Sequence, residues 1–491
     1  MNLIDIGPEL LSRILCRGKG VRGVCKALLA VCDAGVNDIE IRHRSDDYQL
    51  PQFLNFSARC PDLTGLRFTI RDGEAGFRLG VDLMLDQPGL AARLERLHVR
   101  VRMVQEDLLV ALEKAVAPCV LLTHAKVSSR RRSVVGRTLA ALGGGITQMQ
   151  NLTTLCLEES DLTNSGPLLS AALQRMPALL SLDVEGAVMD DAAAQAIAAH
   201  ASPALLNLRM TLASGRREVP LVNAFAPRLT DLNLRYKVLR PDMVSFAGPD
   251  FGSFSALKTL DLHATPMFPG IECPIALLEG IGLLTGLTSL TLRLQGSDIG
   301  NVAPAVRPLT HLMTLVLGDM HATEDGCRAL ATALGGVTTL RALHFSDCDL
   351  TPNCFDVFGP AIQGLTGLTD LEVSGNGRLG ANGAYVLAQA LPPSLTILDV
   401  RNNNIGPAGL LALAPRLAAL PRLRQLDLTS NDLGLHQGIA TVLDTIPRLT
   451  ELEELDLFSY NNFGDLEQQR IRQELRRTNQ KLVICDDRRF D

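Results

Sequence analysis

The chain has no tryptophan, and aromatics make up only 4% of its 491 residues. Large aromatic side chains supply much of the buried area of an ordinary core. A single core also stops growing near roughly 250–300 residues. A chain this long, 46% hydrophobic but built mainly on small aliphatics, has to assemble from many similar small units. Lysine is scarce too, at seven positions, and the net charge is −6. That excludes the basic footprint of a general nucleic-acid binder. The 11 cysteines run from Cys16 to Cys485, and no two stand in a C-x-x-C spacing. Local pairing of that kind marks zinc and redox motifs, so the cysteines read as free, mostly buried thiols of a reducing compartment. No uninterrupted apolar stretch approaches the roughly 18 residues of a membrane span. Residues 1–5 carry no basic segment ahead of an apolar run, so they do not read as a signal peptide. The expectation is a soluble protein of the cytoplasm or nucleus, with no membrane association.

Catalytic signatures are missing as well. There is no G-x-x-x-x-G-K-[ST], no H-E-x-x-H and no G-x-S-x-G. The nine histidines are scattered. His263 and His344 fall in strand positions and read as bystanders. The chain is expected not to be an enzyme and to use no cofactor, metal or small-molecule substrate.

What is present is a repeat. The pattern L-x-x-L-x-L opens clearly at Leu152, Leu155 and Leu157. Further units begin at Leu179, Leu205, Leu229, Leu257, Leu287, Leu312, Leu340, Leu368, Leu395, Leu423 and Leu452, with successive openings 24 to 30 residues apart. Weaker units begin at Leu63 and Leu94, and a degenerate one lies around residues 120–127. On this pattern the array begins near residue 60. A period near 28 fits one short strand and one helix per unit, neither able to bury its apolar face alone. Alternation within x-L-x-L-x is that of a strand. The stretches 383–391 and 409–420 carry apolar residues on one helical face. The predicted fold is an α/β solenoid, a horseshoe or arc with parallel strands on its concave face and helices on its convex face. The expected division is residues 1–45, degenerate repeats over 46–150, regular repeats over 151–463 and a C-terminal cap over 464–491. In that cap a polar helix over 465–478 turns Leu466, Ile471 and Leu475 to one side, and 481–485 forms a last strand.

The stretches Asn403-Asn404-Ile405-Gly406-Pro-Ala-Gly409 and Asn431-Asp-Leu433-Gly434 resemble the ribonuclease-inhibitor type of leucine-rich repeat. The resemblance covers most of residues 150–491. It implies that the residue eight after each opening leucine satisfies buried backbone groups where the chain leaves the strand. Cys348, Asn376, Asn403 and Asn431 hold that place, and the last repeat shifts it to Asn461. Ser160, Ala187, Gln295 and Met320 stand there in earlier repeats, which predicts looser turns.

Residues 1–45 do not fit the repeat. Pro8, Glu9, Leu10 and Leu11, the pair Ile14 and Leu15, and the segment Val24-Cys25-Lys26 follow one another as in an F-box. That resemblance implies a substrate receptor of a cullin ubiquitin ligase, with Pro8, Glu9, Leu10, Leu11, Ile14 and Leu15 facing an SCF adaptor. The spacing between Leu15 and Val24 is short for that family. A helical cap on the solenoid is the other reading of the same residues. A GTPase-activating leucine-rich-repeat protein is a third functional class, but its strongly acidic tail has no counterpart in residues 486–491.

Strand residues flanking the core leucines should face a partner. At the central position the last four repeats carry Glu372, Asp399, Asp427 and Asp456. Asp370 and Glu454 add to this strip, and Arg401 interrupts it. A row of carboxylates focuses negative potential and favours a partner with a basic surface. Aspartate in that position also serves local structure, and the sequence leaves both roles open. The expectation is a protein–protein interaction scaffold, with a structural subunit of a larger assembly as its alternative.

Overall fold

A computed structural model describes residues 3–5, 38–43, 65–70, 81, 84, 85, 91–100, 106–119, 121–128, 138, 149–213, 218–238, 248–266, 275–434, 436–479 and 481–485. The chain divides into two compact units, Met1–Asn233 and Leu234–Asp491.

The first unit is a ladder of parallel strands in chain order. They are β1 (Leu3–Asp5), β2 (Asp38–His43), β3 (Gly65–Ile70), β4 (Arg96–Arg100), β5 (His124–Ser128), β6 (Thr154–Cys156), β7 (Ser181–Val184) and β8 (Asn207–Leu212). Each pairs with the next in parallel. Helices α1 (Glu106–Val116), α2 (Gly166–Leu173) and α3 (Asp191–His200) lie between strands, and α4 (Glu218–Phe225) follows β8. Strand β9 (Asp231–Val238) contains the division between the units.

The ladder reaches farther upstream than the leucine pattern indicates. β1 pairs with β2 through Leu3↔Asp38 and Asp5↔Glu40, and β2 pairs with β3 through Ile39↔Leu66. The strand array therefore begins at residue 3 rather than near residue 60, and the segment 1–45 contributes two strands to it. The sheet needs only the alternation of Ile39 and Ile41 with polar neighbours, and the full leucine triplet is absent there. Residues 6–37, which include all six candidate adaptor-binding positions, lie outside the described residues.

The second unit repeats one strand and one helix more regularly. Its strands are β10 (Thr259–Pro266), β11 (Ser289–Leu294), β12 (Thr314–Gly318), β13 (Ala342–Ser346), β14 (Asp370–Glu372), β15 (Ile397–Asp399), β16 (Gln425–Asp427), β17 (Glu454–Asp456) and β18 (Val483–Cys485). Between them stand α5 (Ile275–Ile281), α6 (Ala303–Val306), α7 (Glu324–Leu334), α8 (Pro352–Gly364), α9 (Gly380–Ala390), α10 (Gly406–Leu417), α11 (His436–Thr445) and α12 (Asp465–Thr478). Every neighbouring strand pair from β10 to β18 is parallel, and the central leucines align: Leu290↔Leu315↔Leu343↔Leu371↔Leu398↔Leu426↔Leu455. This is the leucine-rich-repeat solenoid that the sequence predicts.

The core lies between the strand row and the helix row. In each regular repeat all three patterned residues are buried, as at Leu395, Leu398 and Val400. The helices add their own apolar face: Leu410, Leu413 and Leu417 of α10 are buried while Leu411 faces solvent. At Gly409 and Gly434 neighbouring repeats approach closely. A Cβ on Gly434 would lie 2.1 Å from the Asn462 carbonyl oxygen, so a larger residue there would force two turns apart.

Turns leaving the strands are tied across repeats by asparagine. Asn431 Oδ1 accepts the backbone N–H of Asn403, one repeat upstream, at 3.0 Å. Its Nδ2 donates to the carbonyls of Val400 (2.8 Å) and Leu428 (3.2 Å). Asn461 does the same for Asn431, accepting its N–H at 2.7 Å, and Asn376 does so for Cys348 at 3.0 Å. All three asparagines, with Asn403, are fully buried. Each ladder residue thus satisfies backbone groups of two repeats at once. The residues on either side adopt left-handed backbone, as at Asn402 (φ 56°), Asn404 (φ 54°), Ser430 (φ 55°) and Asp432 (φ 57°). Asn and Asp tolerate that region better than most residues.

The earlier repeats solve the same turn differently. Ser160 is buried and donates to Val127 O (3.3 Å) and Glu158 O (3.2 Å), so its turn is bridged like those of the asparagines. Ala187 and Met320 are buried apolar residues, and Gln295 faces solvent. At the other end, α12 lies between β17 and β18, and β18 pairs with β17. Ile471 and Leu475 are buried, but Leu466 is 81% exposed. Leu466 therefore does not share their face. It lies in the first turn of α12, close to the helix end. Among the described residues, no helix is long and apolar enough to cross a membrane.

Candidate functional site

On the strand face of the second unit, in-register pairing sets side chains into lateral rows. Neighbouring strands lie roughly 4.8 Å apart, so residues one repeat apart in sequence become side-by-side neighbours. The central row reads Val316, His344, Glu372, Asp399, Asp427 and Asp456. The row before it reads Ala342, Asp370, Ile397, Gln425 and Glu454. All seven candidate partner-binding residues inferred from sequence, Asp370, Glu372, Asp399, Arg401, Asp427, Glu454 and Asp456, are on or just beyond these strands. They do not form one uniform exposed strip.

Two of them turn inward. Asp427 and Asp456 are buried. Asp427 Oδ1 accepts the backbone N–H of Thr429 (2.9 Å) and its hydroxyl (2.7 Å). Asp399 Oδ1 likewise accepts the N–H of Arg401 at 2.9 Å, and Asp183 in the first unit accepts that of Glu185 at 2.9 Å. The recurrent aspartate is therefore a brace for the turn that follows the strand. Its charge is a second consequence of the same residue choice.

The half-buried part of the row is a network of mixed sign. His344 stands between two acids of the next strand, with Nε2 3.2 Å from Asp370 Oδ2 and Nδ1 3.4 Å from Glu372 Oε2. The Nε2 contact is close without hydrogen-bond alignment. Glu372 also accepts hydrogen bonds from Ser346 (2.9 Å) and Ser374. Arg401 reaches Glu372 Oε1 and Asp399 Oδ2, each at 3.5 Å. His344 is thus not the bystander that its scattered place among the histidines suggests. The signal was its separation from Asp370 and Glu372, 26 and 28 residues, one repeat length, which in a solenoid means lateral contact.

Charge states follow from this packing. Burial opposes a proton on His344, but Asp370, Glu372 and Asp399 outweigh it and raise its pKa above the ordinary value. Burial pushes Glu372 up, yet the two serine hydroxyls, His344 and Arg401 bring it below the usual carboxylate range. Asp399 is pushed up to about 7, first by burial and then by the Asp427 charge beside it, with Arg401 only partly offsetting them. The row thus runs from a compensated end at His344 and Arg401 to an acid-rich end at Asp399, Asp427 and Asp456.

A smaller cluster of similar character lies in the first unit, where Arg209 faces Asp183 (3.8 Å) and Glu185 (3.5 Å). Lys126 opens a run of basic residues that continues through Arg130, Arg131 and Arg132 to Arg137; Lys126 contacts Glu158, and the four arginines lie outside the described residues. Among the described residues, no group of three His, Cys, Asp or Glu side chains is placed to hold a metal ion.

The comparisons with known proteins agree with this architecture. A leucine-rich-repeat family model matches residues 392–414. Ribonuclease inhibitor of Sus scrofa is 31% identical over 165 residues, 27% of this chain and 36% of that protein. Tonsoku-like protein of Mus musculus is 31% identical over 190 residues, 34% of this chain and 14% of that protein. NLR family CARD domain-containing protein 4 of Xenopus tropicalis is 27% identical over 192 residues, 36% of this chain and 18% of that protein. The chain thus spans about a third or less of the length of these relatives. A solved TLR13–ssRNA13 complex covers 87% of this chain and 62% of its own with TM-score 0.39 and 14% identity, a likeness too slight to add to the strand ladder. By its leucine register and its buried asparagine ladder the chain is built of leucine-rich repeats, and part of it is similar to ribonuclease inhibitor.

Proposed function

We propose that the chain is a non-catalytic scaffold for protein–protein interaction, and that the strand face of its second unit takes a basic surface of its partner. The observation that carries this reading is the set of half-buried acids that the parallel register places on this face, Asp370, Glu372, Asp399 and Glu454, with Arg401 ion-paired to Glu372 and Asp399. Charge complementarity of this kind fixes orientation and speeds encounter more than it adds raw affinity. The similarity to leucine-rich-repeat proteins supports the scaffold class. A finer reading, in which Pro8 to Leu15 hold an SCF adaptor and the repeats present a target to a cullin ligase in the cytoplasm or nucleus, rests on the sequence resemblance alone.

The test is cross-linking with mass spectrometry on the full chain in cell lysate. The reading expects cross-links from partner lysines to concentrate on Asp370, Glu372 and Glu454. Cross-links confined to helix-face acids such as Asp444 and Glu474 would contradict it.

A further inference from the structure

The rim of the second unit where the chain enters its strands carries a charged feature of its own. Backbone hydrogen bonds extend the ladder one rung upstream of the strands. The N–H of Thr288 donates to the Lys258 carbonyl (2.9 Å), that of Met313 to Thr288 (2.8 Å) and that of Arg341 to Met313 (2.7 Å). Lys258, Thr288, Met313 and Arg341 are therefore consecutive neighbours. With strands roughly 4.8 Å apart, Lys258 and Arg341 are separated by about 14 Å along the rim. An open groove of about 470 Å³ runs between them, and His311 and Thr339 complete its polar lining. Lys258, His311 and Arg341 are exposed, and no acid lines the groove among the described residues. Both end cations are held in place. Lys258 Nζ donates to the Gly286 carbonyl at 3.2 Å, which leaves two of its N–H donors. The Arg341 guanidinium lies against Gly367, where a Cβ would collide with it. Neither has an ion pair among the described residues. Farther along the same rim, Arg424 meets Glu453 of the next strand at 3.2 Å. The corresponding neighbours of Lys258 and Arg341 are Thr288 and Thr369, so no carboxylate of the chain stands where Glu453 serves Arg424.

We propose that this groove binds a short acidic segment of a partner protein, extended along the rim, with two carboxylates four residues apart. An extended chain rises about 3.3 Å per residue and turns alternate side chains to one face. Residues i and i+4 thus share a face and span about 13 Å, the reach from Lys258 to Arg341. Each carboxylate forms charge-assisted hydrogen bonds with one cation, and the guanidinium takes its carboxylate in a bidentate fork. Residue i+2 faces the middle of the groove. There Met313, 47% exposed, is a flexible apolar contact, and His311 adds a ring N–H. A long polyanion such as a nucleic acid fits less well. The strand after Arg341 carries Asp370 and Glu372, and the net charge is −6, so the field beyond the groove repels it. The rim is separate from the acids of the strand face, and its occupancy does not depend on a basic surface docking there.

The probe is a short fluorescein-labelled peptide, amidated at its C-terminus, with two glutamates four residues apart and a leucine midway between them. It is titrated against the full chain at low salt and followed by fluorescence anisotropy. The expected result is saturable binding that weakens at least about tenfold when both glutamates become glutamine, and equally in Lys258→Ala with Arg341→Ala. Binding should be unchanged in the helix-face control Arg328→Ala. Carbodiimide treatment of the complex should join a peptide glutamate to Lys258, located by mass spectrometry. The wild-type comparison of the two peptides, with the cross-link map, decides even if the double variant fails to fold. The proposal is overturned by an absence of saturable binding, by equal binding of the glutamate and glutamine peptides, or by cross-links to Lys114, Lys126 or Lys481 in place of Lys258. Tighter binding of a short oligothymidylate, lost in the same double variant, would overturn it in favour of a nucleic-acid site.

Discussion

Asp399 and Asp427 stand at paired positions on β15 and β16, and each carboxylate bends back to accept the N–H two residues further along its own chain. Two like charges are held side by side because each is needed where it is. The turn bond fixes the carboxylate, and the parallel register fixes its neighbour. Burial and the Asp427 charge then push Asp399 up to about 7. An acid raised in the folded state binds more protons folded than unfolded between its unfolded value, about 4, and that raised one. Its contribution to stability therefore declines as pH rises through this window. Asp399→Asn keeps an oxygen for the Arg401 N–H and removes the charge. Thermal melts of the variant should match wild type at or below about pH 4 and exceed it by a growing margin up to about pH 7. A constant difference across that range would contradict the assignment.

His344 carries the opposite charge with the same sign of pH dependence. Raised in the folded state by Asp370, Glu372 and Asp399 against the effect of burial, it stabilises the fold below its ordinary value, and that contribution fades as pH rises through its folded one. Histidine-selective NMR titration should place it above the ordinary value in wild type. It should fall in the double variant Asp370→Asn with Glu372→Gln. An unchanged midpoint in that variant would remove the two acids as its cause.

The asparagine ladder predicts where the fold is least tolerant. Asn403 is fully buried and bonded to both neighbouring repeats. Asn403→Ala leaves buried N–H and C=O groups without partners and should cost about 3 kcal/mol in urea unfolding. Asn404, beside it at φ 54°, should accept glycine with a change of about 0.5 kcal/mol or less. Equal effects at the two positions would contradict the ladder.

How much of this was legible in the sequence follows from the period. Leucines that recur at a fixed interval announce the strand, its buried face and the solenoid, and Asn376, Asn403 and Asn431 announce the turns. Strands β1 and β2 stayed hidden because a parallel edge needs only alternating apolar residues, and Leu3-Ile4 or Ile39-x-Ile41 carry no leucine triplet. The acidic row was readable as positions but not as burial, since nothing local says that Asp427 folds back onto Thr429. The contact of His344 with Asp370 is readable only from their spacing of one repeat.

The central claim is that a partner's basic surface meets the strand face of the second unit. Asp370 and Glu454 are the positions to change, because both are half-buried and neither carries the turn bond that Asp427 does. Capture of the cross-linked partner by the full chain should fall at least about tenfold for Asp370→Lys with Glu454→Lys, a loss of roughly 1.4 kcal/mol. It should stay unchanged for the helix-face control Asp444→Lys, with thermal melts showing all three proteins folded at the assay temperature. Undiminished capture by the strand-face double variant would contradict the account.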